Sequence, residues 1–233
     1  MRTIAFDLDD TLYDRTEPLK QTFASFTPTK ELRFNEILPI YHKYSDIAFE
    51  KVTNQQWTLE ESYVYRIRKT LQEQNIGISE QDALAFQAMY TKNQDRIQLR
   101  PHIEEIIQYL QNKEIQTIII TNGPSTNQRR KVRHLGLEAY LSANEIIVSE
   151  EEGVAKPDVA IFKVAEKRFG FAKNEVWYVG DSFPMDIIGA SQAGWKAIWL
   201  NPSRQEPVIN SNPAEKTVYS TEALKEYLFQ IIY

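Results

Sequence analysis

The stretch Thr3-Ile4-Ala5-Phe6-Asp7-Leu8-Asp9-Asp10-Thr11 changes character halfway along. Residues 3–8 are mostly β-branched or apolar, the composition of a strand buried on both faces. Asp7, Asp9 and Asp10 then bring carboxylates that an apolar interior would not tolerate unpaired. A core strand whose carboxyl end emerges at the edge of a sheet reconciles the two halves.

The same pattern recurs outward from this run. Residues 116–120 stop at Thr121-Asn122-Gly123, 145–148 at Ser149, 175–179 at Gly180-Asp181-Ser182 and 196–200 at Asn201-Pro202. Helical spacing lies between these strands, as in Ile103, Ile106, Ile107 and Leu110, and again in Ile161, Val164, Ala165 and Phe169. Strands alternating with helices predict a Rossmann-like, three-layer α/β core with a mostly parallel sheet covered on both faces.

Residues 14–98 read differently, with helix signals throughout. Thr58-x-x-Glu61 has the form of a capping box ahead of Tyr63, Ile67 and Leu71, and Ser79 can cap a segment carrying Ala83, Phe86 and Tyr90. Ile37, Tyr41, Tyr44, Ala48 and Val52 make a further stripe, whose regular part Pro39 is expected to confine to later residues. These helices should close on one another as a bundle. The expected organisation is a core at 1–13 and 99–233 with a helical domain at 14–98 inserted between its first two strands. Residues 210–214 read as a loop before a final helix from about Thr221.

Composition narrows the chemistry. The chain has 233 residues, 42% hydrophobic and 25% charged, with a formal net charge of −5. It has no basic stripe for a nucleic acid polymer, and its apolar runs, such as 118–120, fall far short of the roughly 20 residues that span a bilayer. Asp7, Asp9 and Asp10 interrupt the only apolar stretch near Met1, so no leader is expected and a cytoplasmic location is the default. Cysteine is absent, which removes disulfides, thiolate metal sites and cysteine nucleophiles. The three histidines, His42, His102 and His134, show no metal-ligand spacing. There is no G-x-S-x-G elbow, P-loop or G-x-G-x-x-G. Any chemistry must rest on carboxylates.

In an open parallel sheet, ligands bind beyond the carboxyl ends of the strands at a topological switch point. That edge should gather Asp7, Asp9, Thr121, Asp181 and, from the loop after the third strand, Lys156. Carboxylates, a hydroxyl and one ammonium suit a hard divalent ion together with a phosphate.

Four motifs, in order, carry a family resemblance. Asp7-Leu8-Asp9-Asp10-Thr11, Thr121, Lys156-Pro157 and Gly180-Asp181-Ser182-Phe183-Pro184-Met185-Asp186 resemble those of the haloacid dehalogenase-like superfamily, and the helical insertion sits where that family carries its first type of cap. The resemblance implies a magnesium-dependent phosphatase acting on a small phosphorylated metabolite, such as a nucleoside monophosphate or a sugar phosphate. Asp7 would be the nucleophile, forming an aspartyl-phosphate. Asp9 would serve as acid and then base, for which its pKa must rise from about 3.9. Thr121, the backbone N–H groups of Asn122 and Gly123, and Lys156 would hold the phosphoryl group. Mg2+ would be held by Asp7, the backbone carbonyl of Asp9 and Asp181, with Asp186 orienting water or Lys156, or ligating directly.

The remaining candidates receive plainer readings. Thr11 and Asp10 serve the turn, Asp158 caps a helix, Gly194 punctuates the backbone and Ser149-Glu150-Glu151-Glu152 is a solvated face. The aromatics Tyr41, Tyr44, Phe49, Trp57, Tyr63 and Tyr65 fill the bundle, and Arg66 and Arg68 are left without a role. Asp9 favours phosphoryl transfer over dehalogenation, because dehalogenase relatives lack an acid there. A sugar phosphomutase of the β-phosphoglucomutase type and a non-catalytic phosphate-binding regulator are the rivals. Oligomeric state is not encoded in these motifs.

Overall fold

The computed structural model describes residues 3–209 and 211–232, so of the expected 210–214 loop Asn210 lies outside the described residues. The chain divides into two compact units, one of Met1–Asp14 with Gln98–Tyr233 and one of Arg15–Ile97.

Strand β1 (Thr3–Phe6) is buried along its whole length. After it the chain forms the smaller unit from helices α1 (Thr16–Ser25), α2 (Phe34–Thr53), α3 (Leu59–Gln72) and α4 (Glu80–Gln94). Thr58 and Ser79 both close capping boxes, with Glu61 and Asp82. Leu19, Phe23, Ile37, Tyr41, Ile67, Leu71, Ala83 and Phe86 pack between the helices. Pro39 does not delay α2, which begins at Phe34 and runs through it. A proline this early in a helix removes one backbone hydrogen bond, and burial of Ile37 and Tyr41 on the same face holds the first turn in place. Of the aromatics assigned to the bundle, Tyr41 is buried, whereas Tyr44, Trp57 and Tyr65 form a half-exposed cluster of their own.

The larger unit continues through α5 (Ile103–Asn112), β2 (Gln116–Thr121), α6 (Ser125–His134), β3 (Ile146–Val148), α7 (Ser149–Glu152), α8 (Val159–Phe169) and β4 (Val176–Gly180). A π-helical turn at Phe183–Ile188, α9 (Gly189–Ala193), β5 (Lys196–Leu200), β6 (Lys216–Val218) and α10 (Thr221–Ile231) complete it. The sheet is parallel, in the order β3-β2-β1-β4-β5-β6. The α/β class follows from the sequence, but β6 does not. At three residues, with Lys216 exposed, it carries too little apolar pattern to stand out from the loop before it.

The order of strands fixes where ligands meet the sheet. From β1 the chain goes to β2 and β3 on one side and then crosses to β4 on the other, so β1 and β4 flank the switch point.

Candidate active site

Asp7 follows β1 directly, and its backbone N–H donates to the Val179 carbonyl at 2.9 Å, tying it to the adjacent β4. Asp7 is buried to 6% exposure. Lys156 Nζ lies 2.6 Å from Asp7 Oδ1, 2.7 Å from Asp186 Oδ1 and 2.8 Å from the Tyr178 hydroxyl. One buried ammonium thus joins the ends of β1 and β4 and the loop after α7. Asn122 braces that loop: its side-chain amide donates to the Lys156 carbonyl and accepts from the Lys156 N–H, both at 2.9 Å.

Asp186 enters because Gly180 has no side chain. A Cβ there would stand 2.4 Å from the Asp186 carboxyl carbon. The Ser182 N–H donates to Asp186 Oδ2 at 2.9 Å, closing the turn after β4. Asp181 is half-buried, its carbonyl accepts from Trp199 Nε1 at 2.8 Å, and its carboxylate accepts from Thr11 at 3.4 Å. Thr11, fully buried, therefore reaches the site and does more than stabilise its own turn. Asp10, with φ of 60°, takes the left-handed conformation of a tight turn.

Carboxylate oxygens of Asp7, Asp181 and Asp186 lie within 4.8 Å of one another. Three carboxylates this close repel one another, and a divalent cation held between them would offset that repulsion. Burial pushes the Asp7 carboxyl up to about 7, with Asp186 and Asp9 adding to the rise against the pull of Lys156. An all-oxygen donor set of this kind fits Mg2+.

Asp9 departs from expectation. Its side chain was expected to need a raised pKa, and it is held down at about 2. Burial works upward, but the Lys131 ammonium and hydrogen bonds from Lys131, Tyr13 and Gln128 outweigh it. Lys131 Nζ is 2.6 Å from Asp9 Oδ1, the Tyr13 hydroxyl donates to the same oxygen, and Gln128 Nε2 is 2.8 Å from Oδ2. Gln128 also donates to Thr121 Oγ1.

The Gly123 N–H donates to the Ser149 hydroxyl at 3.0 Å, and with φ of 137° Gly123 shapes the loop after β2. The acidic run after Ser149 is likewise more than a solvated face. Glu150 accepts from the Ser125 N–H at 2.8 Å and Glu151 pairs with Arg129 at 2.7 Å, locking α7 to the start of α6. Asp158 caps α8 through the Ala160 N–H, and Gly194, with φ of 84°, ends α9.

The sequence reading missed Lys131, Gln128, Tyr13 and Tyr178. Lys131 and Gln128 are three apart on α6 and share its inward face. Two polar side chains on the buried face of a helix that follows a functional strand end were the available signal.

Residues 1–194 match the sequence profile of the haloacid dehalogenase-like hydrolases. The glyceraldehyde 3-phosphate phosphatase of Methanothermobacter thermautotrophicus is 26% identical, over 98% of this chain and 100% of that protein. The ribulose-1,5-bisphosphate 5-phosphatase of Halopiger xanaduensis is 27% identical, over 89% of this chain and 88% of that protein. Among solved structures, the HAD-hydrolase YfnB of Bacillus subtilis bound to magnesium aligns with a TM-score of 0.78 at 24% identity, over 98% of both chains, which is a likeness of fold.

Proposed function

We propose, for a chain that belongs to the haloacid dehalogenase-like hydrolase family, hydrolysis of a small phosphomonoester through an aspartyl-phosphate on Asp7, with Mg2+ as cofactor. The chain is a phosphoric monoester hydrolase that acts on small phosphorylated metabolites. The observation that carries the finer reading is the Asp7–Lys156–Asp186 cluster: a buried carboxylate held at 2.6 Å by an ammonium that also pairs with Asp186 at 2.7 Å.

In the first half-reaction a carboxylate oxygen of Asp7 bonds to phosphorus, the bond from phosphorus to the ester oxygen breaks, and Asp9 gives that oxygen a proton. In the second, a water oxygen bonds to phosphorus, the bond to Asp7 breaks, and Asp9 takes the water's proton, releasing inorganic phosphate. Asp9 is an anion in the free protein, and as a negatively charged phosphoryl group approaches and raises its proton affinity it takes from solvent the proton it then passes on. Thr121 accepts from Gln128, which leaves its own hydroxyl proton for a phosphoryl oxygen. Lys156 and the Asn122 N–H add positive potential at the phosphoryl oxygens. Asp7, Asp181, Asp186 and the Asp9 carbonyl would hold Mg2+, whose charge offsets that of the phosphoryl group when bound.

Residues 14–98 are read as a cap that selects the leaving group. The smaller unit begins at Arg15, and Tyr13 bridges both Asp9 and Leu99, so the chain leaves and rejoins the core beside Asp9. The test is phosphate release with Mg2+ from a panel of small phosphomonoesters, including glyceraldehyde 3-phosphate, ribulose bisphosphate and nucleoside monophosphates. Steady multiple-turnover release from at least one is expected. Rearrangement of a sugar phosphate without release would favour a mutase, and binding without either a regulator.

A further inference from the structure

Lys131 belongs to none of the four motifs, yet its side chain is only 10% exposed and ends among the reacting groups. Its ammonium lies 2.6 Å from Asp9 Oδ1 and 2.7 Å from Gln128 Oε1. Gln128, 1% exposed, returns its amide to Asp9 Oδ2 at 2.8 Å and to Thr121. Both oxygens of Asp9 are thereby fixed, one by Lys131 with Tyr13 and one by Gln128. Burying an ammonium and an amide at the cost of their hydration is not needed to seat α6, because Val132 on the same helix is already 1% exposed. What the pair adds is direction, since it sets where the Asp9 carboxylate points.

We propose that Lys131, together with Gln128, is a positioning residue for the reaction: it holds the Asp9 carboxylate where it can exchange a proton with the ester oxygen. The inference rests on reading Asp9 as the acid and base of a phosphatase. Proton transfer needs donor and acceptor within about 2.6–3.2 Å, and a displacement of about 1 Å can cost about 10²-fold in rate. An alkyl oxygen leaves as an alcohol only if it is protonated, whereas a nitrophenolate leaves readily without a proton. Misplacing Asp9 therefore slows alkyl phosphates far more than aryl phosphates.

The experiment measures kcat/KM for p-nitrophenyl phosphate and for the best alkyl phosphate of the metabolite panel, with Mg2+, and takes their ratio. The ratio within one preparation cancels the fraction of protein that is folded. Lys131→Met is expected to lower the alkyl-to-aryl ratio at least about tenfold, mainly through kcat, in the same direction as Asp9→Asn. Gln128→Leu should shift it the same way, and Lys131→Arg, which keeps the charge, should restore it to within about threefold of the parent. Equal losses on both esters in Lys131→Met and Gln128→Leu would mean that the pair only supports the fold, and the inference is overturned. A parent inactive on both esters overturns the phosphatase reading, and this inference with it.

Discussion

Adding one methyl group at Gly180 would place a carbon 2.4 Å from the Asp186 carboxyl carbon, inside contact distance. Asp186 also holds Lys156, so the clash would reach Asp7 through two bonds of 2.7 and 2.6 Å. Gly180→Ala is expected to lose about 1–3 kcal/mol of stability by overpacking and most of its activity. Urea denaturation and phosphate release measure the two effects, and an active, fully stable variant would show that Asp186 can move aside at no cost. At this scale the sequence was informative wherever a residue type is rare at its position. Carboxylates at the end of an apolar strand have no packing reason to be there, which is why Asp7 and Asp9 stood out. Tyr178 and Tyr13 did not, because a buried tyrosine on or beside a strand looks like core, whether its hydroxyl's partner is distant, as Lys156 is for Tyr178, or four residues away, as Asp9 is for Tyr13. The direction of the Asp9 shift was equally illegible, since it depends on Lys131, 122 residues away.

Among the elements, α2 carries His42, whose imidazole is pushed down from 6.5 to about 4 by burial and by the nearby Arg15 guanidinium. The sign follows from the proton count. Between about pH 6.5 and 4 the unfolded chain binds a proton at His42 that the folded chain refuses, so stability falls as pH drops through that window. The loss amounts to at most about 3 kcal/mol, and His42→Gln should abolish that part of it. Denaturation midpoints at pH 7 and pH 4.5 for parent and variant measure this, and parallel falls in both would remove His42 as the cause. Thr58, whose hydroxyl accepts from the Glu61 N–H at 3.2 Å, gives a second handle on this unit, and Thr58→Ala is expected to cost about 1 kcal/mol. Elements with strong local signals were readable, the capping boxes and the apolar strands above all. Strand ends shifted by one or two residues, and β6 and the full start of α2 were missed, because tertiary burial decides such short or proline-bearing segments.

On the scale of the whole molecule, residues scattered from Asp7 to Asp186 meet because β2 and β4 pair on either side of β1. The helical unit of Arg15–Ile97 has a core of its own, around Phe23 and Phe86. Replacing residues 14–98 with a short loop should leave a core that still binds Mg2+ but no longer discriminates among phosphomonoesters, and kcat/KM across the panel measures the change. The intact chain should favour metabolites over a phosphorylated folded protein; equal rates on the two would contradict a selecting cap. The central claim is that Asp7, assisted by Mg2+, carries the phosphoryl group, and it rests on one comparison. Initial rates of phosphate release from the best ester are measured for the parent with Mg2+, the parent in excess chelator, and Asp7→Asn with Mg2+. Release by the first and a fall of at least about 10³-fold in the other two is the expected result. Activity of Asp7→Asn within about tenfold of the parent, or undiminished activity in chelator, would contradict it.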